Sequence, residues 1–366
     1  MGVANPTVVT PRYGHSAYAL VQPEATYGGV PDDFYSSAYY MDFSGETLQQ
    51  ERGNLFSSGV YGAGYATGRV VSHAAGVAVG GDFLTDLQYG GYEWLIYGAM
   101  GGYGYSQPNA VSSPDVYAHG FYFVDDLPSF TLEIGKGTAT STAYRYTGIM
   151  VNSMTLGVSA DGFMTVTFGL IGRDVTTTDP TNPLMYHKQL VTGSHLLNFR
   201  VLDIAVGEDK DLSSVVGYAL SVNNNLTNDR RFVGSNMIQK PQRSEKRKVT
   251  GRIVVESGDE VLEAFTLFKQ GARHRYQLYF QGDDIDSYVT YSMEIQTHRT
   301  ELRGSLPNVV SMGRQHIDVP FDCYEWGITP EEPYWDCEGF IILTNDRPNI
   351  LDLDSNLGTP DSDPEA

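Results

Sequence analysis

The residues in this chain that could do chemistry are few and scattered. Gly98, Gly101, Gly102 and Gly104 stand close together, and a glycine-rich loop can cradle phosphate oxygens with its backbone N–H groups. That use needs G-x-G-x-x-G between a strand and a helix. The frame is missing here, so these glycines read as the end of a helix. Gly135-Lys136-Gly137-Thr138 resembles part of a phosphate loop, but it lacks the Lys-Ser or Lys-Thr adjacency and a following helix, so Lys136 reads as a turn lysine. His316, Cys323 and Cys337 come nearest to a ligand set. Their spacings fit no C-x-x-C or H-x-x-x-H frame, and they read as core or surface residues. A Cys323–Cys337 disulfide is geometrically possible, but synthesis in a reducing compartment argues against it. Asp125-Asp126 and Asp283-Asp284 are carboxylate pairs at expected strand ends, where turn chemistry explains them. No G-x-S-x-G elbow occurs, and the eight histidines are dispersed. The expectation is a chain with no catalytic centre, no cofactor and no metal.

One charge feature stands out. Arg230, Arg231, Lys240, Arg243, Lys246, Arg247, Lys248 and Arg252 face only Asp229 and Glu245 along that segment, and they make up a third of the 24 basic residues. The chain as a whole carries 44 acidic residues and a formal charge of −20. That excludes a general nucleic-acid grip, which needs an excess of Lys and Arg to neutralise phosphates. The segment reads as a solvated loop, as a nucleic-acid contact, or as a docking loop for an acidic face of a neighbouring copy. The third reading is favoured, because copies this acidic must be held together against repulsion if they assemble.

The elements around these residues are mostly strands. Hydrophobic residues make up 41% and aromatics 12%, enough for a large core and too much for a disordered chain. No apolar run is long enough for a spanning helix, and the first residues lack the pattern of a secretory signal. Residues 1–47 carry scattered prolines and many tyrosines without a lasting period. They read as an extended arm lying on another surface, with Tyr27, Tyr39 and Tyr40 as candidate contacts. Gly59–Val71 and Gly76–Phe83 are strand-prone. Tyr92–Met100 reads as a short helix stopped by Gly101-Gly102. Ser129–Ile134, Ile149–Val158 and Phe163–Leu170 alternate as strands, and Ala160-Asp161-Gly162 between the last two is a hairpin signal. Residues 174–195 read as a loop or linker. Val215–Val222 and Val249–Val255 are strands, and Glu260–Gln270 has a helical apolar face. Strand signals resume at Tyr276–Phe280, Tyr288–Gln296, Val309–Met312 and His316–Tyr324, and Phe340–Leu343 could add one more. Both halves run strand, helix, strands, final hairpin, which reads as a tandem duplication of one β unit.

Pro128–Ile134, Tyr146–Leu156 and Met164–Arg173, followed by Ala219–Leu226, Val233-Gly234-Ser235 and Val249–Glu256, resemble the tail tube (major tail) proteins of long-tailed bacteriophages. So do Glu24–Gly28 and Gly45–Leu48, and the resemblance covers roughly residues 20–325. It implies a mainly β fold, a tail-tube β-sandwich or barrel with one short flanking helix, here duplicated in tandem. The expected division is an arm at 1–47, a first tube-type β domain at 48–195, a second at 196–330, and a C-terminal extension with an acidic tail at 331–366. The resemblance also implies a structural virion protein, not an enzyme, that assembles in the host cytoplasm into stacked rings. The basic residues 230–248 would then contact neighbouring subunits or rings. Its partners would be other copies, the tape measure, terminator and distal tail proteins, and genomic DNA passing through the lumen without specific binding; no membrane is involved. Two units per chain point to trimeric, pseudo-sixfold rings, with a hexamer as the alternative. Other functions weighed are a tail terminator or baseplate ring protein and, less favoured, a carbohydrate-binding or hydrolysing β-protein.

Overall fold

Thr165–Gly172 buries Val166, Phe168, Leu170 and Gly172 and turns the residues between them the other way. This period of two is what a strand with one wet face requires, and it recurs along much of the chain. The structure, a computed structural model, describes residues 17–55, 73–136, 142–179, 188–203, 209–212, 214–256, 273–303, 316–324 and 338–347. The first half contributes Tyr18–Pro23 (β1), Phe34–Ser37 (α1), Tyr39–Met41 (β2), Gly45–Glu46 (β3), Gln49–Leu55 (β4), His73–Asp86 (β5), Glu93–Met100 (α2), Gly101–Ser106 (β6), Tyr117–Phe123 (β7), Phe130–Gly135 (β8), Ala143–Ser159 (β9), Thr165–Gly172 (β10) and Asp174–Thr178 (β11). The second half adds Leu196–Asp203 (β12), Asp209–Asp211 (β13), Val215–Asn223 (β14), Lys248–Glu256 (β15), Arg273–Asp284 (β16), Thr290–Leu302 (β17), His316–Cys323 (β18) and Gly339–Asn345 (β19). The fold is mainly β, with α2 as its one substantial helix among the described residues.

The strands pair antiparallel in three arrays. A front sheet runs β4–β5–β10–β9–β14–β15–β18 and joins the two halves of the chain through β9 and β14. Behind it lie β2–β1–β8–β9–β11 and β13–β12–β16–β17–β19–β7–β6. The long strand β9 belongs to two arrays: its start pairs with β8 and β11, and its end with β10 and β14. Likewise β17 pairs with β16 and β19 first and reaches β18 only at Thr300–Leu302.

One continuous core fills the space between the layers. Across the front sheet, Phe83, Phe168, Met154, Val222, Val249 and Cys323 are successive cross-strand neighbours on the buried face. In the next row Gly251 stands opposite Phe321, and a side chain there would collide with the Phe321 ring, at 2.2 Å from its Cζ. Phe199 and Tyr276 from the back array meet Tyr218 and Phe321 from the front. Helix α2 is apolar nearly all round and lies inside the core. Trp94 packs edge-on against Tyr39 and Phe130, and Gly98 lets the helix approach the Phe130 ring and Val151 closely. Gly101 closes the helix at φ 89°, a left-handed cap that glycine adopts without strain.

The structure departs from the sequence reading at several places. In the 1–47 segment, read as an extended arm lying on another surface, β1 is buried throughout and pairs with β8 and β2 of its own chain. Its aromatics have a home because the back sheet supplies the partner surface that a lone segment lacks. The start of the expected 174–195 linker, Asp174–Thr178, is β11 against β9; a threonine run is polar but β-branched, and it suits a half-exposed strand. The strand expected at Phe340–Leu343 is present as β19, which inserts between β17 and β7 and ties the two halves together. The expected strands at 59–71 and 309–312, the helix at 260–270 and Cys337 lie outside the described residues.

Candidate assembly surfaces

The front sheet offers an edge, a wet face and a decorated end. The edge is β4. It pairs with β5 and, among the described residues, with nothing on its other side. Gln49, Gln50, Glu51, Arg52 and Gly53 are all exposed, so polar side chains surround a free row of backbone donors and acceptors.

The wet face is built from short side chains. One cross-strand row reads Leu84, Thr167, Thr155, Ser221, Thr250 and runs into Asp322, which is buried. The rows beside it read Asp86, Thr165, Gly157, Ala219, Arg252, Pro320 and Asp82, Gly169, Ser153, Asn223, Lys248. Thr155 and Ser221 hydrogen-bond through their hydroxyls at 3.1 Å, across the β9–β14 seam.

The basic residues decorate one end, in the connection between β14 and β15. This connection folds back on itself: Leu226 bridges to Arg243, Thr227 N–H donates to Gln242 O at 3.0 Å, and Gln239 N–H donates to Arg230 O at 2.9 Å. It then crosses to β5, where Val77 N–H donates to Asn236 O at 2.8 Å. At its root Asn224 is fully buried. Its amide nitrogen donates to Ala99 O at 2.9 Å and Val151 O at 3.1 Å, and its oxygen accepts from Arg247 Nε at 3.1 Å.

The sequence-predicted contacts divide accordingly. Arg247 is a structural cation of its own chain: it pairs with Glu338 at 3.1 Å, donates to Val124 O, and lies 4.8 Å over the Phe123 ring. Burial lowers its pKa, and Glu338 opposes that shift. Lys240 and Arg243 meet Asp126 and Asp125 at 2.8 and 2.6 Å. The acidic partner of this loop is thus the carboxylate pair that sequence reasoning had assigned to a turn, in the same molecule. Such exposed pairs contribute little, up to about 1 kcal/mol each. Arg230 donates to Lys240 O at 3.1 Å and lies 5.6 Å over the Phe232 ring. Arg231, Lys246 and Lys248 are exposed.

The three candidate tyrosines make contacts within their own chain. Tyr39 and Tyr40 are buried in their own chain. Tyr39 sits under the Arg347 guanidinium at 4.4 Å, and burial with the Asp42 hydrogen bond pushes the Tyr40 hydroxyl up to about 12. Tyr27 is held between Gly148 and Arg173, and burial raises its hydroxyl to about 12.

The other candidate groups do not converge. His316 and Cys323 stand at opposite ends of β18, and Cys323 is a buried free thiol whose pKa burial raises. Lys136 pairs with Glu46 at 2.5 Å. Among the described residues no cluster of metal-binding side chains occurs, and no helix is long and apolar enough to cross a membrane.

Sequence reasoning missed the buried polar anchors. Glu24 accepts four hydrogen bonds, from Gly28 N–H, Gly148 N–H, Ser129 and Thr131, at 2.7–2.9 Å. Glu133 accepts from Tyr18, Tyr35, Arg145 and Thr178. His119 bonds to Tyr103 at 2.8 Å and to Asn345 at 3.1 Å, fastening β19 to β7, and burial lowers its pKa. These partners lie far apart in sequence, so no local signal marks them.

The sequence matches the family described as phage tail tube protein over residues 14–323, which takes in both halves of the front sheet. No curated protein sequence matches the chain. The chain therefore belongs to the phage tail tube protein family and is a structural protein of the virion tail.

Proposed function

We propose that three copies of this chain close into a pseudo-sixfold ring, and that stacked rings form the hollow conduit through which DNA leaves the virion. The observation that carries this reading is the β9–β14 junction, together with the corresponding order of antiparallel pairings on either side of it. In the first half the β4–β5 pair is followed by β10 against β5 and β9 against β10. In the second half β14–β15 is followed by β18 against β15 and β17 against β18. The flanking strands correspond too, with β8 and β11 on β9 and β16 and β19 on β17. This supports a tandem duplication in which β4 is the counterpart of β14. The first unit's β9 is completed by β14 of the second, and by the same correspondence the end of the second unit, where β17 leaves β16 and reaches β18, would take β4 of the next copy. Closing the circle removes the open edge.

The wet face of the front sheet would line the lumen. Its Ser, Thr, Gly and Ala side chains are short, and Asp82, Asp86 and Asp318, exposed on β18 two residues before Pro320, outweigh Lys248 and Arg252. Such a wall offers phosphates little to hold, so DNA slides instead of sticking.

Amide hydrogen exchange tests the junction. Gln50, Glu51 and Arg52 should exchange readily in the unassembled chain, and assembly into tubes should slow the outward-facing amides among them about 100-fold or more. Unchanged exchange at β4 in assembled tubes would refute the edge-to-edge closure.

A further inference from the structure

The two ends of the front sheet differ in a way that gives stacking a direction. We propose that the Arg231–Gly234 tip of one copy seats on a patch formed by Asp161, Phe163 and Leu197 at the opposite end of a copy in the next ring. This rests on the ring reading above and adds to it which end meets which.

The tip is apolar where a lone loop should be polar. Phe232 is 57% exposed and Val233 is 108% exposed, with Arg231 exposed beside them. It is also held in place. Gly234 turns the chain at φ 95°, Ser235 N–H donates to Phe232 O at 3.1 Å, and the stem is fastened to β5 through Asn236. A tip ordered before binding loses little conformational freedom when it docks.

The other end of the sheet carries the complement. Phe163 is 50% exposed and Leu197 is 63% exposed. They belong to one patch, because Phe163 bridges to Thr192 and Gly193 N–H donates to Gly162 O at 2.9 Å, laying the segment before Leu197 against the β9–β10 turn. The exposed charges there are acidic. Asp161 sits in that turn, and Asp283 and Asp284 are brought to the same end by the Asp283 N–H bond to Gln189 at 2.7 Å. Lys188, the nearby cation, is tied to Asp346. The nine residues of β14 separate the two ends by roughly 27 Å at about 3.3 Å per residue.

An apolar tip beside an arginine at one end, and an apolar patch beside aspartates at the other, cannot meet within one molecule. Between copies they make a head-to-tail contact, the heterologous kind that does not close and so propagates a filament. The occupant of the patch is therefore a second copy of this chain.

The test uses the full chain. Phe232→Asp with Val233→Asp should change the melting temperature little, since Val233 is fully exposed and Phe232 gives up only an exposed contact with Arg230, whose charge the new carboxylate still faces. Rings should still form, while the mass found in tubes by sedimentation and electron microscopy falls at least about tenfold. Arg231→Asp should also arrest stacking, and adding Asp161→Arg in the same chain should restore it. Tubes of ordinary length from the Phe232/Val233 variant would overturn the inference while leaving the ring reading intact. A variant that folds but forms no rings would overturn it too, by making the tip a lateral contact. If the unaltered chain formed neither rings nor tubes, the ring reading would fall first and this inference with it.

Discussion

Replacing Glu24 by alanine is expected to destabilise the unassembled chain by about 3–5 kcal/mol. The carboxylate is 7% exposed and is the common acceptor for four donors drawn from three parts of the chain: Gly28 in its own loop, Ser129 and Thr131 at β8, and Gly148 in β9. Gly148 has φ 64°, so its N–H is aimed by a backbone turn that few residues adopt. Without the carboxylate these donors are left in a site too closed for easy hydration, and the end of β1 loses the side-chain anchor that adds to its ladder with β8. Glu24→Gln keeps one acceptor oxygen but turns an NH2 group toward donors, so its cost should be intermediate. Urea unfolding followed by tryptophan fluorescence reads the effect directly, and a change below about 1 kcal/mol for the alanine variant would contradict it.

Arg247→Met should cost a similar amount, about 3–5 kcal/mol, because it strands a partly buried carboxylate. Its side chain is 6% exposed and Glu338 is 12% exposed. The substitution also removes one of the two guanidinium donors, Arg247 and Arg243, that Val124 O and Asn224 Oδ1 share, and Asn224 fixes the root of the basic loop to α2 and β9. Lys246→Ala provides the contrast. That side chain is exposed, and its loss should leave stability within about 0.5 kcal/mol. If Arg247→Met folded with unchanged stability and failed only in assembly, the residue would be an intersubunit contact and its internal pairing incidental.

The contrast between these residues shows how much of the molecule was legible in its sequence. Where one face of a strand is buried and the other wet, the pattern is written locally. Thr165–Gly172, the Asp161-Gly162 turn before it, Val215–Asn223 and the glycine stop after Met100 could all be read directly. β1 could not, because all six of its residues are buried and alternation disappears when both faces are covered. β11 was obscured for the opposite reason, since its threonines look like loop composition.

The assembly surfaces were harder still. A run of basic residues announces that it will meet acid, but charge carries no address, and Lys240 and Arg243 found theirs on Asp126 and Asp125 of the same chain. Glu24 and Arg247 depend on partners about a hundred residues away, which no spacing rule connects. What composition did convey was the surplus of aromatics over what a free arm could use. Tyr39 and Tyr40 used that surplus inward, not outward.

The most direct test of the account is the rotational symmetry of purified tubes in averaged end-on electron micrographs. A sheet that continues from β9 to β14 within the chain and from the β17–β18 end to β4 between chains should give three identical subunits per ring, each contributing two similar but distinguishable lobes around an open lumen. Six identical subunits per ring would contradict it.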